Sequence, residues 1–394
     1  MVGSRARVLR VLIIHSEMKH YRIPFFNGLY NTLQRDGIEL RVAYSNSHKA
    51  QALRNDRAEL PPPIGRKVSG RWFLGRLLYQ DLWSEIVRSD LVISGPELKY
   101  LMNPVLLLMS ALKLKIVAFW GLGPYKHPDR SPVAEWIKQH FFTRVDWWFA
   151  YTESIAAYLK RRGMPTDRIT VVQNATDTAG LRNFMDRTSD ADAARAKEAL
   201  TGIPHSMVGL YCGLMGDVKS IPLLLDAARL VKQDCPEFHL VLIGDGPDRK
   251  WLEAAIKEEA WIHYCGFKNH EEAAVYYKMA DVFVMAGTVG LAVVDCFAAG
   301  LPLIASHLTT HPPEISYVVS GYNGLLVPHN AAALATGVRQ VLSDSLLLET
   351  LAKGARESGS KYTMDAMVSN YRAGVVQCLA QVGLIMALGT TDIP

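Results

Sequence analysis

The feature that most constrains this chain is an alternation of short apolar runs with longer helical segments, which occurs once in each half of the sequence. Several runs are almost continuously hydrophobic, which is typical of parallel strands covered on both faces. The predicted strands are 7–16, 38–45, 90–95, 115–121, 145–152, 169–174, 207–213, 238–244, 261–266, 281–287, 301–306 and 323–328. The sequence therefore predicts an α/β protein with two Rossmann-like, doubly wound domains.

The length of 394 residues suits two domains, and a polar stretch at 174–192 separates the two sets of strands. We expect an N-terminal domain at 1–176, a second at 177–365, and a C-terminal helix at 366–394 that packs toward the first domain. The net charge also changes sign here. Residues 1–177 contain 26 Lys and Arg against 15 Asp and Glu, and the rest of the chain contains 17 Lys and Arg against 23 Asp and Glu. The basic half indicates a polyanionic partner, with a simple solubility bias as the alternative.

The cysteine content and the hydropathy of the sequence indicate the cellular compartment. The five cysteines form no CxxC pair, which argues against a disulfide framework and fits a reducing compartment. The apolar stretches 104–112 and 373–388 fall short of the ~20 residues that a span needs, so we expect buried or interfacial helices. We predict a cytoplasmic protein with peripheral contact to the cytoplasmic face of a membrane.

The segment 65–83 mixes Arg and Lys with aromatic and aliphatic residues. This mixture suits an interfacial helix on an anionic membrane, and it would suit a polyprenyl-diphosphate-linked acceptor. Packing of an amphipathic element on the core explains the apolar residues equally well.

Two loops in the second half follow predicted strands and contain glycine. In the first, Gly213 ends a strand and Lys219 stands just ahead of a predicted helix, which is a plausible cradle for a diphosphate. An ordinary turn with an exposed lysine is the alternative. In the second, Gly246 lies in a tight turn in which Asp245 is expected to form a hydrogen bond.

A third loop runs from Gly287 to Leu291 into a predicted helix, where backbone N–H groups could bind phosphate. Asp295 is the one charged residue on that helix, and a carboxylate on an apolar helix needs a partner, such as a ribose diol or a neighbouring loop. Further on, Pro312 and Pro313 predict a helix start with Glu314 in its first turn, where Glu314 complements the helix dipole or points into a cleft.

These segments, in this order, resemble the family 4 glycosyltransferases, a retaining group with the GT-B fold of two Rossmann-like domains facing across a cleft. Gly213, Lys219 and the run LLLDA match the family's loop, but Leu214 stands where the family has arginine. The family's donor motif contains two glutamates. Asp295 occupies the position of the second glutamate, and Gly287 occupies the position of the first.

The polysaccharide and O-antigen sub-branch of that family is more similar still. Its Pro-Gly-x-Val-Gly-Leu loop resembles 286–291, and its His…Pro-Glu segment resembles 311–314. In the first half, 20–29 and 147–178 look like that group's opening motif and domain-closing stretch.

The resemblance implies a retaining, metal-independent transfer from a nucleotide diphosphate sugar to a glycan or lipid-linked acceptor in polysaccharide biosynthesis, with no cofactor and no nucleic-acid partner. Lys219 would stabilise the leaving phosphate, and Asp295, one methylene shorter than glutamate, would hold the ribose. The implied donor-site residues are Gly213, Lys219, Gly246, Gly287, Thr288, Val289, Gly290, Leu291, Asp295 and Glu314. The implied acceptor-side residues are His20, Tyr21, Arg22, Gly121, Gly123 and His127.

Other classes remain open. A GT-B sugar-nucleotide epimerase would need acid and base carboxylates that we cannot place, and a phosphorylase would need more chain and a lysine for pyridoxal phosphate. A dinucleotide oxidoreductase would need the full G-x-G-x-x-G pattern, of which "GLGPYK" supplies two glycines. A non-catalytic partner in a glycan-assembly complex would account for the missing arginine and glutamate.

Overall fold

The computed structural model describes residues 7–45, 58–123, 141 and 143–385. Within them the chain forms two compact units, the first made of 1–174 and 364–394 and the second of 175–363. The chain thus crosses from the first unit to the second after Asn174 and returns at Met364.

The first unit contains a seven-stranded parallel sheet with the order β3-β2-β1-β6-β7-β8-β9. Its strands are β1 (Leu9–His15), β2 (Ile38–Tyr44), β3 (Gly65–Lys67), β6 (Leu91–Ser94), β7 (Ile116–Gly121), β8 (Trp147–Ala150) and β9 (Ile169–Val171), with β4 (Gly70–Phe73) and β5 (Leu77–Gln80) forming a separate antiparallel hairpin. Its helices are α1 (Ile23–Arg35), α2 (Trp83–Arg88), α3 (Asn103–Ala111), α4 (Glu153–Arg161) and the C-terminal α13 (Met364–Gln381).

The second unit contains a six-stranded parallel sheet with the order β12-β11-β10-β13-β14-β15. Its strands are β10 (Met207–Cys212), β11 (Phe238–Ile243), β12 (Ile262–Tyr264), β13 (Val282–Met285), β14 (Leu303–Ser306) and β15 (Gly324–Val327). Its helices are α5 (Thr178–Arg187), α6 (Asp190–Thr201), α7 (Ile221–Asp234), α8 (Arg249–Ala255), α9 (His270–Met279), α10 (Ala292–Ala298), α11 (Ala331–Ser343) and α12 (Ser345–Lys361).

All twelve strands expected from the apolar runs are present, each within its predicted range. Every residue of β6, β8, β11, β13 and β14 is buried, as is expected when helices cover both faces of a parallel sheet. The core of the first unit includes Trp147 and Trp148, and that of the second includes Phe283 and Phe297.

The expectation of a helix at 65–83 is wrong. This segment forms β3 and the β4–β5 hairpin, in which Phe73 pairs with Leu77, and a helix begins only at Trp83. The turn of the hairpin places Leu74 at φ 50° and Gly75 at φ 62°. Leucine rarely adopts a left-handed conformation, so the sequence carries no conventional hairpin signal here.

Helix α13 packs against α1 in the first unit. Arg372 donates to both carboxylate oxygens of Asp36 at 2.6 and 2.7 Å, and Tyr371 stacks on Phe149 with ring centroids 4.3 Å apart. The last described helix of the chain therefore completes the core of the unit with which the chain began.

Candidate functional site

The loops that follow β10 and β11 pack directly on one another. The Gly213 N–H donates to the Ile243 carbonyl at 2.9 Å, and the Met215 N–H donates to the Asp245 carbonyl at 3.0 Å. A Cβ atom at Gly246 would lie 2.1 Å from the Met215 carbonyl oxygen, so glycine is required at this position. Asp245 accepts a hydrogen bond from the Gly246 N–H at 2.8 Å, as expected for a turn-stabilising residue.

Lys219 lies in a short 3-10 helix, Asp217–Lys219, immediately before α7. Its Nζ donates to the Thr288 carbonyl at 2.5 Å, and burial lowers its pKa to about 8. An ammonium group has three protons, so this bond leaves two for a ligand. The structure thus brings Lys219 to the loop that follows β13, as the donor-site hypothesis requires.

The loop after β13 is held tightly by its neighbours. The Thr288 N–H and hydroxyl both donate to the Val218 carbonyl, at 2.8 and 3.1 Å. A Cβ atom at Gly287 would lie 2.4 Å from the Lys219 Cα, whereas one at Gly290 would meet no atom within 4 Å. The close neighbour of Gly287 is therefore protein backbone rather than the ligand that the sequence suggested, and Gly290 is the open position.

His311 fixes the other side of this loop. Its Nδ1 accepts from the Val289 N–H at 3.0 Å, and its Nε2 lies 2.8 Å from the Ser306 carbonyl oxygen, so it is neutral with the proton on Nε2. Burial lowers the pKa of His311. The Thr288 and Val289 N–H groups are both used within the protein, which corrects the expectation that they bind phosphate. Among the described contacts the N–H groups of Gly290 and Leu291 have no partner.

Asp295 lies on the first turn of α10 and is linked to two other segments. Thr176 donates its hydroxyl proton to Asp295 Oδ1 at 2.8 Å, and His270 Nε2 lies 4.0 Å from Oδ2. Burial raises the pKa of Asp295, while His270 and the bond from Thr176 oppose that rise. Both partners are neighbours that the sequence could not identify, because they lie 119 and 25 positions away on other elements.

Glu314 is in the first turn of a 3-10 helix, Pro313–Tyr317, as the two prolines predict. Its side chain is buried. The following aromatic residue, Tyr317, stacks on Tyr362 with ring centroids 3.8 Å apart. Glu314 is thus a buried part of the fold, three residues after the histidine that holds the loop after β13.

In the first unit, Arg22 lies at the carboxyl end of the sheet and is almost fully buried. It donates to Asn174 Oδ1 at 3.0 Å and to the Tyr151 hydroxyl at 3.2 Å. Its guanidinium carbon lies 5.0 Å from the ring centroids of Trp120 and Tyr21, within cation–π range. His20 and Tyr21 are exposed beside it.

Several buried polar atoms surround Trp120. Within the described residues, His15 Nε2, Trp120 Nε1 and the Tyr371 hydroxyl have no hydrogen-bond partner. The Trp120 ring centroid lies 5.2 Å from that of His15 and 5.1 Å from that of Tyr371. Buried polar atoms are normally satisfied, so this cluster indicates a site for water or for ligand hydroxyl groups.

His15 is not among the site residues that the sequence predicted. Burial, with smaller contributions from Arg22 and Lys99, lowers the pKa of His15 to about 3, so it is neutral at physiological pH. Its position as the last residue of β1, at the carboxyl end of a parallel strand, is the signal that could have found it.

Gly121 and Gly123, which were predicted for the acceptor side, lie at and after the end of β7. Gly121 ends β7, where a Cβ atom would lie 2.8 Å from Cδ of Pro96. Gly123 follows with φ +64° and packs against Ile155. His127 lies outside the described residues.

Two family models match the sequence. The model described as Glycosyltransferase Family 4 matches residues 26–179, and that described as Glycosyl transferases group 1 matches residues 207–344. The two segments contain most of both parallel sheets. Both halves of the chain therefore match glycosyltransferase models, which supports a glycosyltransferase of the family 4 type.

Curated relatives are similar over part of their length. A sulfoquinovosyl transferase of Arabidopsis thaliana is 30% identical over 43% of this chain, and the match covers 33% of that protein. An alpha-monoglucosyldiacylglycerol synthase of Acholeplasma laidlawii is 28% identical, with 47% of each chain covered. The chain thus spans a third to a half of the length of these two relatives.

Solved structures share the fold over nearly the whole chain. HepE of Anabaena, crystallised in complex with UDP, superimposes with a TM-score of 0.69 at 16% identity, covering 93% of this chain and 99% of that one. Sucrose-phosphate synthase of Thermosynechococcus elongatus gives a TM-score of 0.68 at 19% identity, covering 95% and 100%. These similarities confirm the expected GT-B class.

Two kinds of feature are absent from the described part of the chain. No helix in it has the length and apolar character needed to cross a membrane. In the same residues, no group of three or more His, Cys, Asp or Glu side chains is arranged to hold a metal ion.

Proposed function

We propose that this protein is a retaining glycosyltransferase that moves a sugar from a nucleotide diphosphate donor to a glycan or lipid-linked acceptor without a bound metal. The observation that carries the proposal is the contact between Lys219 and the loop after β13, with Asp295 on the helix that follows that loop. This arrangement puts a cation, open backbone N–H groups and a carboxylate on consecutive parts of one sheet edge.

Lys219 is suited to the diphosphate. As the bond to the sugar breaks, negative charge grows on the β-phosphate, and a partly buried ammonium group stabilises it more strongly than an exposed one. The N–H groups of Gly290 and Leu291, at the start of α10, add two donors that need no rearrangement. Thr288 supports this site indirectly, because its carbonyl orients Lys219.

Asp295 is suited to the ribose. Thr176 occupies Oδ1, which leaves Oδ2 facing His270 at 4.0 Å, a distance too long for a hydrogen bond. A ribose hydroxyl can donate a hydrogen bond to this oxygen. His311, Gly213 and Gly246 act on the site through the loops they hold in place.

The first unit is suited to the acceptor. His15, Trp120 and Tyr371 present unpartnered polar atoms, and Arg22 supplies a positive charge beside them. Sugar hydroxyls match such atoms, because each hydroxyl both donates and accepts. No protein nucleophile is assigned; in this proposal the leaving phosphate accepts the proton of the acceptor hydroxyl.

The test is a transfer assay. The purified protein is incubated with UDP-, GDP-, CDP- and ADP-sugars and a lipid-linked glycan extract, in the presence of EDTA, and release of nucleoside diphosphate is measured. We expect release with one nucleotide class, with Lys219→Ala reducing the rate by about tenfold or more and Lys250→Ala, an exposed lysine on α8, leaving it unchanged. NMR of the product should show the anomeric configuration of the donor. Inversion, or activity only after metal is restored, would contradict the proposal.

A further inference from the structure

Side chains alternate between the two faces of the β4–β5 hairpin. Leu78 and Gln80 lie on the inner face, where they are 1% and 2% exposed. Arg71 pairs with Tyr79 on the other face, and Phe73, two positions further along the same strand, is 48% exposed. This outer face of the hairpin therefore presents a guanidinium group and two aromatic rings side by side.

The inner face anchors the hairpin to the carboxyl end of the first sheet. Gln80 Nε2 donates to the His15 carbonyl at 2.8 Å and to the Ser45 hydroxyl oxygen at 3.2 Å. His15 is the last residue of β1, and Ser45 directly follows β2. The Leu78 N–H donates to the Lys99 carbonyl at 2.7 Å, in the segment that follows β6. The outer face is therefore held on the edge of the sheet that carries the proposed acceptor residues.

A depression of about 540 Å³ opens on the outer face. Its volume lies in the range of ~300–1,000 Å³ that is usual for small-molecule sites. Within the described part of the chain, the Arg71 guanidinium and the Asp81 carboxylate form no hydrogen bond and no ion pair. Both charged groups are therefore available to a ligand. The residues that line the depression are Ser69, Arg71, Phe73, Tyr79, Asp81 and Leu101.

The lining combines the groups that a saccharide requires. Each sugar hydroxyl both donates and accepts hydrogen bonds, so a free guanidinium donor and a free carboxylate acceptor in one depression match neighbouring hydroxyls. The rings of Phe73 and Tyr79 offer apolar surface to the C–H groups of a sugar ring.

Other classes of ligand fit this lining less well. Asp81 would repel an anionic head group or a free phosphate. A hydrocarbon chain would bury the charges of Arg71 and Asp81 without partners, which is unfavourable. A neutral, polyhydroxylated ligand avoids both penalties.

We propose that the outer face of the hairpin is a saccharide-binding site that holds a sugar unit of an oligosaccharide. Its lining residues are distinct from the donor-site and acceptor-side residues described above, so this site is additional to them. Its part in transfer rests on the proposed function. Because Gln80 ties the hairpin to His15, the sugar unit held here would belong to the acceptor, which would then be an extended glycan rather than a lipid with a single sugar.

Saccharide binding is tested on an array without nucleotide. The full chain is applied to immobilised oligosaccharides from microbial and plant polysaccharides and to the matching monosaccharides, and bound protein is detected through a terminal tag. We expect binding to a subset of the oligosaccharides. Phe73→Ala and Arg71→Ala should each weaken this binding by about tenfold, because they remove an aromatic surface and a charged donor.

The hairpin also supplies matched controls. Leu74 is 91% exposed and Arg76 is exposed, and neither lines the depression. Leu74→Ala and Arg76→Ala should bind as the wild type does, and all four variants should keep its melting temperature, because each changes an exposed side chain. No binding to any oligosaccharide on the array, or binding that neither Phe73→Ala nor Arg71→Ala weakens, would overturn the site.

The transfer assay separates this proposal from the proposed function. Phe73→Ala should raise KM for the glycan acceptor by about tenfold and leave kcat and the KM for the sugar nucleotide unchanged, because the lost contact is remote from the reacting atoms. Oligosaccharide binding that depends on Phe73, in a protein that transfers no sugar, would refute the proposed function alone. Transfer with the same KM for the glycan in Phe73→Ala and the wild type would refute the saccharide site alone.

Discussion

At the scale of single residues, the proposed donor site depends on how closely the backbone at Gly287 approaches Lys219. The two segments are far apart in sequence. Hydrogen bonds from Thr288 to Val218 and from Lys219 to Thr288 hold them together. The sequence identified Lys219 and the glycines as a group, because they follow parallel strands. It could not show that Gly287 packs on protein rather than on ligand.

Gly287→Ala should therefore disturb the site and Gly290→Ala should not disturb the fold. A Cβ atom at Gly287 meets backbone atoms at 2.3–2.5 Å, which must shift, and such overpacking costs about 1–3 kcal/mol. Thermal melting should show a clear drop for Gly287→Ala and little change for Gly290→Ala, where the space is open. Equal melting temperatures for Gly287→Ala and the wild type would contradict this packing.

The pKa of Lys219 predicts how nucleotide affinity changes with pH. Burial lowers that pKa to about 8, so the free protein loses this positive charge as the pH rises from 7 to 9.5. The diphosphate group keeps its charge there, since the second phosphate pKa is about 6. Affinity for the bound nucleoside diphosphate, measured by calorimetry, should fall by about tenfold across this range. Lys219→Ala should bind weakly at every pH, and a pH-independent wild type would rule out the role of the lysine charge.

At the scale of elements, the parallel strands were predictable and the hairpin was not. A strand buried on both faces is a short run of apolar residues bounded by turn residues, and this pattern predicts strands well. The β4–β5 hairpin instead combines cationic and aromatic residues with a turn that has Leu74 at φ 50°. Its sequence resembles an amphipathic helix because the apolar side chains of β4 are partly or largely exposed, whereas Leu78 of β5 is buried.

A pair of histidines on neighbouring strands predicts loss of stability in acid. His239 Nδ1 and His263 Nε2 are 3.0 Å apart, and their rings are stacked. Burial, aided by Lys232 and the neighbouring ring, lowers the pKa of His239 to about 4, and burial also lowers that of His263. The unfolded chain then binds more protons than the folded one, so stability present at pH 7 is lost as the pH falls from about 6.5 toward 4.

Urea unfolding at pH 7.0 and 5.0 measures this effect. The free energy of unfolding should decrease at the lower pH, and His239→Gln should show a smaller decrease. His205→Gln, at an exposed position, is the matched control and should behave as the wild type. A His239→Gln protein with the full acid sensitivity of the wild type would contradict the assignment.

At the scale of the whole molecule, residues from distant parts of the chain form one buried cluster. His15, Trp120 and Tyr371 come from β1, β7 and α13, and no local pattern joins them. The sequence placed a helix at the C-terminus but could not show that it brings Tyr371 against Trp120 and Phe149 of the first sheet. This is why His15 and Trp120 were missed while the neighbouring Arg22 was found.

The first unit should depend on α13 for its stability. Leu379 is fully buried on this helix, and Leu379→Ala should cost about 2–5 kcal/mol by leaving a cavity. Val382, just beyond the helix, is 46% exposed, so Val382→Ala should change stability by less than about 0.5 kcal/mol. Denaturation is followed by tryptophan fluorescence, to which Trp147 and Trp148 of this unit contribute together with Trp251 and Trp261 of the second. Similar effects of the two substitutions would show that α13 is not part of the core.

The central claim is that the second unit binds the nucleotide diphosphate through Lys219 and Asp295. It is tested most directly by a thermal-shift measurement with UDP, GDP, CDP and ADP, using the wild type, Lys219→Ala and Asp295→Ala. A ligand at 100 times its dissociation constant stabilises a protein by about 2.7 kcal/mol, which is a readily measured shift. We predict a shift with one nucleotide that both substitutions reduce. No shift with any of the four, or a shift that neither substitution changes, would contradict the account.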